Sequence, residues 1–115
     1  MMDVDQMLFD LRVYSGSCLG YFLTRDAINL LIVCGEDWEP SLKALQEEVA
    51  KLRKCTNDTF QQEIKLVSCL AWERNRLLLE KYAYRELEAP PTASEFIDIL
   101  IYVYFTKCVS VEGML

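Results

Sequence analysis

An all-α fold, a small bundle of about four to five helices with one long central helix, is what this sequence predicts. Three observations carry the prediction. The chain has 115 residues, enough for one domain and little more. Apolar residues recur at spacings of three and four through most of 42–84. Helix-starting and helix-stopping residues (Pro40, Pro90-Pro91, then Thr92 with Glu95) punctuate those periodic stretches. Repeats, low-complexity tracts and flexible linkers are absent from the sequence, so residues 1–115 read as a single helical domain.

The elements follow in order. Residues 3–13 read as a short helix on the spacing of Val4, Leu8 and Leu11, broken by Tyr14-Ser15-Gly16-Ser17. A second helix is expected to begin near Thr24 as N-cap, with Asp26 in its first turn and Gly35 at its end. The β-branched pair Ile32-Val33 leaves a strand open there. After an acidic turn at 36–39, Pro40 suits the first position of a third helix carrying Leu42, Leu45, Val49 and Leu52. Cys55-Thr56-Asn57 interrupts it. The fourth helix is expected to run over 58–88 with Phe60, Ile64, Val67, Ala71, Leu78 and Tyr82 on one face and Leu66, Leu70, Leu77 and Tyr84 beside it. Such a length is unusual in a globular domain and natural for a helix that reaches along a neighbour. Beyond Pro90-Pro91, Thr92-Ala93-Ser94-Glu95 has the form of a capping box. The apolar run 96–105 fits strand by its β-branched and aromatic content and helix by its cap. The prediction adopted is a helix over 92–106, so apolar that it must be buried on nearly all sides.

Composition points to a partner. The chain is 52% apolar, with six Tyr, five Phe and two Trp, which is generous for a small soluble monomer. Net charge is −6, against general nucleic-acid binding. Residues 41–88 are nearly balanced, with nine basic and eight acidic side chains, so mixed-charge solvated helices lie between acidic ends. No stretch reaches the roughly 18 apolar residues a membrane span needs. A cytosolic or nuclear protein follows by elimination.

Chemistry is hard to build from these residues. Histidine is absent, so the commonest metal ligand and the usual general base are missing. Five cysteines (18, 34, 55, 69 and 108) form no CxxC pair and are expected to be free thiols. Phosphate-binding glycine motifs are lacking. No enzyme, metal or cofactor is therefore expected. Asp26, Glu36, Asp37 and Glu39 are the nearest approach to a carboxylate cluster, and a helix start and a turn account for them. Lys51, Arg53 and Lys54 form a basic knot at the end of the third helix. It is explained by the helix dipole, with phosphate or partner contact as the other reading.

Trp72-Glu73-Arg74-Asn75-Arg76 is the unusual segment. Asn is a poor residue for a helix interior, because its side chain competes for backbone hydrogen bonds. Arg74 falls on the stripe of Leu70 and Leu78, four residues from each. Arg74 and Asn75 are expected to make fixed hydrogen bonds where helices meet, to helix-end carbonyls or to carboxylates such as Asp98 or Glu36. Arg76 is expected to be exposed and of little consequence.

Glu73-Arg74-Asn75-Arg76, followed by leucines and Tyr82, resembles the signature helix of the first subunit of the GINS DNA-replication complex. Residues 48–56, Glu-Val-Ala-Lys-Leu-Arg-Lys-Cys-Thr, are similar to the helix that precedes it in that family. The second arginine of the family pattern would fall at Leu77, and the small residue before the tyrosine is Lys81. The resemblance implies a GINS A-domain-like helical fold. The family's C-terminal β-domain would be absent, or reduced to a remnant within 92–115. It implies a nuclear, non-catalytic subunit of a heterotetramer, bound to the other three GINS subunits and through them to the MCM ring and a RecJ-like protein. No sequence-specific nucleic-acid contact and no membrane contact would follow. A helical adaptor or small regulatory protein unrelated to replication shares the same bulk features.

Overall fold

Helix geometry accounts for nearly all of the regular structure in the computed structural model, which describes residues 4–14, 19–34 and 42–113. Five α-helices lie among these residues: α1 (Val4–Asp10), α2 (Leu19–Cys34), α3 (Leu42–Leu52), α4 (Asn57–Ala83) and α5 (Ala93–Gly113). The all-α bundle is as predicted. Strands are absent among the described residues, so neither Ile32-Val33 nor a β-remnant within 93–113 is strand. Pro40 and Gly35, the predicted helix bounds there, lie outside the described residues.

α2 and α4 are the central pair, with α3 and α5 packed against both and α1 closing one end against α2 and α5. Phe60, Ile64, Val67 and Ala71 of α4 share one buried core with Leu23, Ala27 and Ile28 of α2 and Phe96, Ile97 and Leu100 of α5. Each large side chain taken fully out of water here contributes about 1.5–3 kcal/mol of apolar burial. Gly20 sets a close approach between α2 and α4. A Cβ built on it would lie 2.6 Å from Val67 Cγ2 and 2.9 Å from the Glu63 carbonyl carbon, so only glycine lets α2 come this near to α4.

The start of α2 differs from the prediction. Thr24 is not an N-cap: it lies inside a helix that begins at Leu19, fully buried, and its hydroxyl donates to the Gly20 carbonyl at 2.7 Å. A threonine bonding back along its own helix satisfies its hydroxyl without any chain end. Asp26, expected in the first turn, is therefore mid-helix, where it meets Arg53.

α4 also departs from the continuous rod over 58–88. Thr56 caps it, its hydroxyl accepting the Thr59 amide at 3.1 Å, but Asn75 leaves helical geometry (φ −151°, ψ 62°). The helix ends at Ala83, where Tyr84 turns left-handed (φ 58°) and the Tyr84 and Arg85 amides donate to the Lys81 and Glu80 carbonyls. Residues 84–92 then double back. Lys65 Nζ donates to the Pro90 and Pro91 carbonyls at 2.8 and 3.0 Å, and the buried Ser68 hydroxyl to Pro91 at 2.8 Å. At the start of α5 the capping box forms: Glu95 N–H donates to Thr92 Oγ1 at 3.2 Å, and the Thr92 hydroxyl donates to the Glu95 carboxylate at 3.0 Å. The apolar α5 is not buried all round, because Tyr102 and Phe105 remain exposed.

Candidate interaction site

The break at Asn75 organises the middle of the molecule. Having left the helix, Asn75 acts as an internal N-cap: its side-chain oxygen accepts from the Leu78 amide, three residues on, at 3.4 Å. Its amide nitrogen donates to the Asp10 carbonyl at 2.9 Å. Arg74 Nη1 donates to the Arg12 carbonyl at 3.0 Å. Two consecutive side chains of α4 thus satisfy carbonyls left open where α1 ends, as any helix C-terminus leaves them. The acceptor of Arg74 is a helix-end carbonyl and not Asp98, and Glu36 lies outside the described residues. Arg74 is nonetheless exposed, as is Glu73.

Arg76 is exposed, as expected, yet it is engaged on three sides. Its guanidinium donates to the Leu87 carbonyl at 2.5 Å, lies 3.6 Å from the Glu80 carboxylate, and stacks 4.9 Å from the Trp72 ring centroid. Glu80 in turn accepts the Leu87 amide at 2.6 Å. An (i, i+4) pair therefore grips both backbone polar groups of Leu87, whose side chain is buried. The reversal of the chain after Ala83 brings Leu87 there, and that reversal is not visible in the local pattern. The Trp72 indole N–H is buried with no acceptor among the described residues.

Tyr82, the tyrosine of the segment, is buried, and burial, followed by the nearby Asp10 charge, pushes its phenol up from the ordinary value. It belongs to the core and not to the exposed part of the motif. The basic knot is only partly free for a partner. Arg53 donates to Asp26 at 2.5 Å and stacks over Phe22 at 5.4 Å, with Arg25 on the same ring at 5.2 Å. The hydrogen bond to Asp26 holds Arg53 further up than usual. Lys51 and Lys54 are exposed on either side. Cys55 and Cys69 are free thiols, half-buried, and the other three cysteines lie outside the described side chains. No cluster of potential metal ligands and no helix long and apolar enough to cross a membrane occurs among the described residues.

The sequence placed Leu77 and Tyr84 beside the apolar face of the fourth helix, and the structure leaves both of them, with Tyr102 of α5, open to solvent. Leu77 is 82% exposed, Tyr84 71% and Tyr102 56%, although the core is well filled. Leu30, Val33 and Leu52 line a hollow with Asp26, Asn29 and Arg53. Comparison with protein-family models, with curated proteins and with solved structures gives no match to this chain.

Proposed function

We propose that the chain is a non-catalytic interaction subunit, and specifically a GINS-type subunit serving DNA replication in the nucleus. One observation carries the reading. Glu73-Arg74-Asn75-Arg76, the segment with the family-like pattern, is also the segment whose side chains tie α4 to the end of α1 and to the reversing segment at Leu87. A motif that holds three chain segments in one arrangement is what a rigid assembly subunit requires. Leu77 directly after it, and Tyr84 and Tyr102 further along, are exposed and supply surface for neighbours. Partners under this reading are the other three GINS subunits, with the MCM ring and RecJ-like protein reached through them.

Co-expression with the three remaining GINS subunits encoded by the same genome tests it. The expected outcome is one species of equal stoichiometry by size-exclusion chromatography with light scattering. Assembly of the other three without this chain would overturn the reading in favour of an adaptor unrelated to replication.

A further inference from the structure

The last turn of α4, the turn after it and the first half of α5 border an open groove of about 460 Å³ lined by Tyr82, Tyr84, Arg85, Glu95, Asp98 and Tyr102, with the buried Ile99 also in its lining. Glu95, Asp98, Ile99 and Tyr102 share one face of α5 by their spacing of three and four. The Tyr84 and Tyr102 rings meet edge to face, centroids 5.7 Å apart and planes at 88°, so two aromatic surfaces stand at a right angle. Each presents the electron-rich face that attracts organic cations.

The charges point the same way. Arg85 is already paired with Glu95 at 2.9 Å, so its guanidinium is engaged there. Asp98 has no hydrogen-bond or ion-pair partner among the described residues, which leaves one uncompensated carboxylate. The C-terminal end of α4 adds its partial negative charge to the same wall. All six arginines of the chain lie among the described residues, and of these Arg85 alone lines the groove. The protein therefore supplies no second guanidinium of its own to Asp98.

We propose that this groove is a docking site for a partner protein segment that presents an arginine beside apolar side chains. The guanidinium takes the carboxylate of Asp98 and lies on the Tyr102 or Tyr84 face, and the flanking apolar groups cover Ile99 and the ring edges. The same stacking occurs three times within the chain, at Arg76 on Trp72 and at Arg25 and Arg53 on Phe22. Partial burial, then the Glu95 charge, pushes the Asp98 carboxyl up from its ordinary value, the condition a bound cation relieves. Tyr84 fits the role because a left-handed position after a helix favours glycine, yet here it holds a large exposed ring. The site does not depend on which assembly the chain joins.

The test is titration of the ¹⁵N-labelled full chain with a leucine–arginine–leucine peptide, blocked at both ends, and with the same peptide carrying citrulline for arginine. Citrulline keeps the shape and removes the charge. Expected are shifts confined to the amides of 82–85 and 95–102, and binding at least about fivefold weaker with citrulline. Asp98→Asn should weaken the arginine peptide by about five- to tenfold. Tyr84→Gly should weaken it by about two- to fivefold without lowering the melting temperature, since glycine suits the left-handed turn. Equal binding of the two peptides, or shifts elsewhere on the chain, would overturn the proposal. Unchanged affinity in Asp98→Asn would overturn it as well.

Discussion

Gly20→Ala probes the close crossing of α2 and α4. In an ordinary helix interior this substitution stabilises by about 0.8–1 kcal/mol, because alanine restricts the unfolded chain and shields the backbone. At position 20 the new methyl would sit 2.6 Å from Val67 Cγ2 and 2.9 Å from the Glu63 carbonyl carbon. Val67 is a fully buried β-branched side chain with little rotamer freedom, and the Glu63 backbone is fixed in α4. Neither can yield unless α2 and α4 separate. Overpacking of this kind typically costs about 1–3 kcal/mol, and contact with backbone puts this case at or above the upper end. After the propensity gain, a net loss of about 2 kcal/mol remains. For a domain of this size that is a fall in Tm of about 8 °C, or a drop of roughly 1 M in the urea midpoint at unchanged slope. The same substitution made in a Val67→Ala background should cost less, because the methyl contact is gone and only the backbone contact persists. A Gly20→Ala variant that melts at or above the parent would refute the close approach.

Local signals in the sequence located most of the helices but few of their ends. α3 emerges from Leu42, Leu45, Val49 and Leu52, and α5 from the Thr92–Glu95 cap, because both signals are complete within one or two turns. Thr24 misled because a cap and a mid-helix threonine bonded to Gly20 look alike until the backbone before them is known. Asn75 stood out as misplaced in a helix. Its role as an internal cap depends on the Asp10 carbonyl, 65 residues earlier, and no periodicity reports such a contact. The end at Ala83 was missed because a left-handed tyrosine takes the place of the usual glycine. That error carried Glu88 into the helix and put Leu87 out of reach of Arg76. The family-like motif was therefore legible as a cluster. The division of labour within it was not, since it follows from the chain reversal beyond Tyr84.

That division gives a direct comparison of two arginines. Arg76→Ala loses a charge-assisted bond to Leu87, the Glu80 pair and the Trp72 stack, a cost of about 1–2 kcal/mol after allowance for its exposed position. Arg74→Ala removes one exposed bond to Arg12 and should cost about 0.5–1 kcal/mol; thermal melts that rank Arg74 above Arg76 would contradict the observed contacts. The pH dependence of stability separates two carboxylates on α5 whose shifts oppose each other. Glu95 is held below its usual value, first by the Thr92 hydroxyl and then by Arg85, so its contribution is present at neutral pH and is lost as pH falls through that lowered value. Asp98 is shifted the other way, by partial burial and then by Glu95. Between its ordinary and its raised value the folded state holds more protons than the unfolded chain, so stability falls as pH rises through that window. Above it the penalty is complete. Asp98 is exposed, so solvent screens much of the penalty, and Asp98→Asn should raise the urea midpoint at pH 7 only slightly. At a pH well below the ordinary aspartate value, where folded and unfolded chains both hold the proton, the midpoint should change little. A midpoint lowered at pH 7, or raised equally at both pH values, would mean that Asp98 is compensated in the folded chain. In that case its negative charge would no longer be available to a partner's cation in the Tyr84–Tyr102 groove.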